Sequence, residues 1–174
     1  MKTKTLIMIL ALIFVSTSCE KTTLNNINVK TYIKLLKSGS YDLKGSNGLP
    51  DLPPFEPKDI LELLTYASDK QIITGFPHNP ISSFFEPDCR LGIYVLWTIE
   101  SVRQVSTGVN KPLGRFPSLN PILGNKTSGS YALIDNDTIH QVAVNAYQDW
   151  WNSNDDFEQI KNINPLENTD YGWF

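Results

Sequence analysis

The chain has 174 residues and a formal charge of -3, with 41% apolar and 19% charged residues. That balance is too polar for a multispan membrane protein and too apolar for a disordered chain, and the length suits one domain. Two cysteines and two histidines leave no disulfide scaffold or zinc finger, and a pI near 5.3 gives no electrostatic footprint for nucleic acid.

The first elements are addressing signals. Met1-Lys2-Thr3-Lys4 is a short basic leader, and Leu6 to Val15 is an unbroken apolar run. This run is half the roughly 20 residues that span a bilayer as a helix, so a secretory signal peptide fits and a transmembrane anchor does not. Ser16-Thr17-Ser18-Cys19 resembles a bacterial lipobox, with serine where leucine is usual. Residues 1–18 are therefore expected to be a lipoprotein signal peptide, Cys19 the acylated residue, and 19–27 a lipidated tether. Removing Lys2 and Lys4 leaves 15 - 2 = 13 bases against 18 acids, a mature charge of -5. That net value argues against a basic surface for anionic lipid.

Residues 28–174 then form one domain with helical periodicity. Val29, Tyr32, Ile33 and Leu36 recur at i, i+3, i+4 and i+7, with Asn28 as N-cap and Gly39 as stop. Ser40 to Pro54 is rich in Gly, Pro, Ser and Asn and reads as loop. Pro57-Lys58-Asp59 opens a second helix with Ile60, Leu61, Leu63 and Leu64 inward and Phe55 over its entry. The prolines at 77, 80 and 87 exclude a long element over 72–88. A third helix is capped by Asp88. Its Ile93-Tyr94-Val95-Leu96-Trp97 is apolar nearly all round, which places it at the centre. Residues 106–130 read as loop, and Tyr131 to Ile134 is ambiguous. Asp137 or Thr138 starts a fourth helix with Ile139, Val142, Ala143, Ala146, Tyr147, Trp150 and Trp151 as its stripe. A short helix over Asp155 to Ile163 follows, and the aromatic end Tyr171-Gly172-Trp173-Phe174 is expected to dock on its own domain.

Phe76-Pro77-His78-Asn79-Pro80-Ile81 has an echo in Phe116-Pro117-Ser118-Leu119-Asn120-Pro121-Ile122, 40 residues on. That period suits HEAT-like helical hairpins; the alternative is an irregular helical bundle with long Pro/Gly-rich loops. Either way the fold class is mainly α. The segments from Thr74 to Ser83 and from Leu91 to Arg103 resemble a family of Bacteroidetes lipoproteins that carry a domain of unknown function. The resemblance implies a lipidated envelope protein and brings no catalytic residues.

The residues with chemistry are few. Cys89 follows the expected cap Asp88 and would feel the helix dipole, with His78 or His140 as a base; the plainer reading is a small buried residue. His78, His140, Asp135 and Asp137 lack metal-ligand spacing, and Asp135-Asn136-Asp137 is better explained by capping. Glu100 and Arg103 pair across one turn. Gly124-Asn125-Lys126-Thr127 only superficially resembles the end of a phosphate loop. Tyr147, Trp150 and Trp151 are the best binding candidates, since exposed aromatics stack on sugars or anchor protein partners.

The expected function is a non-catalytic binding or accessory module for a protein or glycan, lipid-anchored at the cell envelope on the outer membrane. The alternatives are an envelope hydrolase and a purely structural envelope lipoprotein. No cofactor, metal or nucleic-acid partner is expected.

Overall fold

In the computed structural model, every residue from Leu91 to Arg103 is buried. They form most of helix α3 (Leu91–Ser106), the central helix that the all-round apolar sequence predicts. The structure describes residues 22–84, 86–108, 114–127 and 136–174. The expected signal peptide over 1–18, Cys19, Asp135 and the ambiguous Tyr131 to Ile134 lie outside the described residues.

The elements run α1 (Val29–Lys37), a 3-10 turn (Pro57–Asp59), α2 (Ile60–Leu64), β1 (Ile72–Thr74), β2 (Asp88–Arg90), α3, β3 (Leu123–Asn125), α4 (Asp137–Asn152), α5 (Phe157–Ile160) and β4 (Tyr171–Trp173). The fold is mixed α/β, which corrects the mainly α reading, whether irregular bundle or HEAT-like hairpins. Two antiparallel pairs, β1 with β2 and β3 with β4, stitch the helices together. Each strand has three residues, too few for a period of two to emerge from sequence.

Local rules explain α1. The Asn28 side chain accepts from the Thr31 N–H at 2.9 Å, and Gly39 leaves the helix with φ of 62°. Its buried face is Val29, Tyr32, Ile33 and Leu36, as the periodicity requires. The second helix opens through a capping box between Glu56 and Asp59; Leu61, placed on its inner face by sequence, is 62% exposed.

Tertiary structure decides where α3 starts. Asp88 is not its cap. Residues Asp88–Arg90 pair with β1, and Arg90 at the N-cap makes no side-chain cap bond. The first helical N–H groups are met instead by carbonyls after α2: Leu91 N–H donates to Gln71 O and Gly92 N–H to Asp69 O, both at 2.8 Å. Gly92 permits this approach. A Cβ there would lie 2.1 Å from Ala67 O and 2.5 Å from His140 Nε2.

The sequence echo has a different meaning from a repeat. Both Phe-Pro loops lean on α3, Phe76 against Tyr94 with ring centroids 4.8 Å apart and Phe116 against Trp97 at 5.5 Å. They also touch each other, because the Asn79 side-chain amide donates to Ser118 O at 3.0 Å. Two loops on one helix, rather than stacked hairpins, account for the similarity.

The aromatic C-terminus docks as expected. Leu123, Gly124 and Asn125 pair with Trp173, Gly172 and Tyr171. Lys126 secures the preceding turn by donating to Leu166 O, Glu167 O and Thr169 O at 2.7, 3.1 and 2.9 Å. The lysine of the phosphate-loop-like tetrapeptide thus has a structural task.

Gly92→Ala is expected to cost about 3 kcal/mol or more, because the added methyl meets a backbone carbonyl that cannot rotate away. Urea unfolding measures this; near-native stability would show that α3 can shift off the turn after α2.

Candidate functional site

The aromatic end of α4 divides into a buried part and an exposed edge. Asn136 caps the helix by accepting from Ile139 N–H at 2.9 Å. The inward face is Ile139, His140, Ala143, Val144, Tyr147 and Trp150. Val142, Ala146 and Trp151, expected on that stripe, lie at its half-buried margin.

Of the three binding candidates, Tyr147 and Trp150 belong to the core. Tyr147 is fully buried; its hydroxyl donates to Glu100 Oε2 at 2.9 Å and accepts from Trp173 Nε1 at 2.8 Å. Burial, then the negative charge of Glu100, holds its pKa well above the phenol range. Trp150 donates its indole N–H to Ile160 O at 2.9 Å. Neither can reach a ligand in this conformation.

Trp151 is different. It is half-buried, and its indole N–H has no hydrogen-bond partner among the described residues. The chain after α4 makes a sharp return: Ser153 donates to Trp150 O, Asn154 accepts from Asp156 N–H, and Asp156 caps Glu158 N–H. This return brings Phe157 to 6.3 Å from Trp151 and 6.2 Å from Trp150. Between them opens a trough of about 230 Å³ lined by Trp151, Asn152, Asn154, Asp155, Phe157 and Ile160. An aromatic face flanked by amides and a carboxylate can stack on an apolar surface while bonding hydroxyl groups at its rim.

A second, smaller cleft of about 90 Å³ lies where β2, the segment before β3 and the start of α4 meet. Cys89 and His140 both line it, beside Arg90 and Asn136. Cys89 sits on a strand rather than in a first helical turn, so the dipole argument for a reactive thiol does not apply. Its thiol faces Arg90 O and Pro121 O at 3.4 and 3.7 Å. His140 Nε2 is 2.7 Å from Ala67 O, and a carbonyl only accepts, so Nε2 carries a proton.

The other candidates are dispersed. His78 stacks on Phe76 at 4.5 Å, and burial lowers its pKa. Asp137 binds Lys70 at 2.7 Å and also Arg90; the bonds from those two cations hold its carboxyl down at about 2. Among the described residues no three His, Cys, Asp or Glu side chains gather as metal ligands.

Glu100 is 2% exposed and enclosed by donors. Arg103 holds both oxygens at 2.9 and 2.6 Å, Gln104 donates at 2.8 Å, and Tyr147 completes the shell. Burial opposes the charge on Arg103, but its bonds to Glu100 outweigh that and raise its pKa. The sequence pairing is therefore present, though inside the protein rather than at a wet edge.

Residues 23–174 match a family described as a domain of unknown function, DUF4943. The chain belongs to the DUF4943 family. Comparisons with curated proteins and with solved structures gave no match. The DUF4943 match spans both clefts and the Glu100 shell, so all three are features of the family domain in this chain.

Because burial lowers the His78 pKa, the unfolded chain binds the proton more readily than the folded one. Stability is expected to be level above pH 7 and to fall as the pH drops below about 6.5, the ordinary histidine value. His78→Gln should flatten this slope in thermal unfolding across the pH series; an unchanged slope would assign it to other groups.

Proposed function

We propose that this DUF4943 protein is a lipid-anchored envelope lipoprotein of the Bacteroidetes type, held on the outer membrane through Cys19. Its domain acts as a non-catalytic binding or accessory module for a protein or glycan. The observation that carries the binding part is Trp151, half-exposed at the rim of an open trough while Tyr147 and Trp150 are committed to the core. Residue pairs of this kind, one aromatic edge beside Asn154 and Asp155, suit a hydroxyl-bearing ligand with one apolar face. The anchor part rests on the leader, the apolar run and the small residues before Cys19. Among the described residues no helix is long and apolar enough to cross a membrane. Acyl chains on Cys19 would supply a membrane attachment, at about 0.8 kcal/mol per buried CH₂.

Two measurements test these parts separately. A glycan array, run beside crosslinking capture from native membranes, should find a ligand whose binding falls about tenfold or more in Trp151→Ala, with little change in melting temperature. Undiminished binding by that variant would move the site elsewhere. Cys19→Ala should pass from the membrane fraction to the soluble fraction on cell fractionation, and retention would remove the anchor.

A further inference from the structure

We infer that the outer face of α1 is a membrane-contact surface: Lys30 and Lys34, with Lys37 behind them, meet anionic phospholipid headgroups beside the acyl anchor. This rests on the anchor at Cys19 proposed above.

The first observation is the length of chain between Cys19 and the domain. Sequence places a tether over 19–27, but contacts with the domain begin within it. Asn26 N–H donates to Thr23 O at 3.3 Å, Thr23 N–H donates to Asn26 Oδ1 at 2.6 Å, and Leu24 and Ile27 pack on the core. Three peptide links separate Cys19 from Thr22. At 3.8 Å per link they reach at most about 11 Å. A lipid-bearing Cys19 therefore holds Thr22, which precedes α1 by seven residues, within about 11 Å of the residue embedded at the bilayer surface.

The second observation is the charge that this short link presents. Lys30, Lys34 and Lys37 lie at i, i+4 and i+7, all exposed, opposite the buried Val29, Tyr32, Ile33 and Leu36. No acidic residue occurs from Lys21 to Tyr41. Lys37 is paired with Asp69 at 2.7 Å, but Lys30 and Lys34 have no ion pair among the described residues. The mature net charge of -5 conceals this, because acids concentrate elsewhere. Asp155, Asp156, Glu158, Glu167 and Asp170 stand against Lys161 alone over residues 155–170. Charge is polarised along the sequence, with the basic stretch nearer to Cys19 than the acidic one.

An anionic surface is the occupant that fits both facts. Its potential attracts a lysine near the surface by about 1 kcal/mol, equal to roughly fivefold in affinity, and decays over about 8 Å at physiological salt. A protein partner could also take a basic helix, but it would need to enter the narrow gap between domain and bilayer.

The full lipidated chain, reconstituted in vesicles, tests this by the acylation rate of each lysine. In phosphatidylcholine vesicles containing phosphatidylglycerol, Lys30 and Lys34 should react about fivefold or more slowly than in pure phosphatidylcholine. Lys58 on the 3-10 turn serves as the internal reference, and high salt should restore the rates. Equal rates in the two vesicle types, with lipid present on Cys19 by mass spectrometry, would overturn this inference and leave the anchor standing. A Cys19 mass without lipid would overturn the anchor, and this inference with it.

Discussion

A single buried carboxylate organises this domain. Glu100 sits in the most enclosed helix, where an ionised group survives only if its oxygens are fully bonded. Its donors come from different parts of the chain. Arg103 and Gln104 belong to α3, and Tyr147 to α4; Trp173 of β4 reaches it through the Tyr147 hydroxyl. Arg103 extends the network to Lys161 O, just past α5, at 2.9 Å. Removing one partner of such a buried pair typically costs about 3–5 kcal/mol, since the other is left charged and uncompensated. The same bonds draw Tyr147 and Trp173 inward and thereby decide which aromatics remain for a ligand.

What remains is an edge. Trp150 closes the core under α5, and Trp151, one residue on and about 100° round the helix, faces the trough. The return through Ser153, Asn154 and Asp156 is short, so Phe157 backs the trough with a second ring. Trough and lysine face suit different surfaces. The trough carries Asn154 and Asp155 in the acidic stretch, while α1 carries the bases Lys30, Lys34 and Lys37. An anchored domain with these two faces would meet the bilayer with one and its ligand with the other.

Much of the architecture was legible because local rules dominate there. Asn28, Gly39 and the spacing of Val29, Tyr32, Ile33 and Leu36 define α1 without help from the rest of the chain. The all-round apolar run of α3 could only be central, and the C-terminal aromatics could only be docked. The strands were not legible. Gly124 pairs with Gly172 and Ile73 with Cys89, over spans too short for a pattern and, in β3 and β4, across distant sequence. For the same reason Asp88 was misread as a cap: pairing with Thr74 claims it, and carbonyls after α2 take over the capping of α3. The three-strong aromatic candidate reduced to Trp151, because a stripe at helical spacing shows which residues turn inward but not how far the neighbours cover them.

The sequence by itself determined the three long helices and the burial of α3, because each depends on composition or on contacts within a few residues. It also contained the lysine stripe of α1, hidden in a net negative charge. Only the tertiary structure decided that the fold is mixed α/β, that Glu100 is an interior hub and that Leu24 and Ile27 pack on the core. Those properties come from pairings between distant segments, whose energies depend on burial and geometry that linear order does not carry.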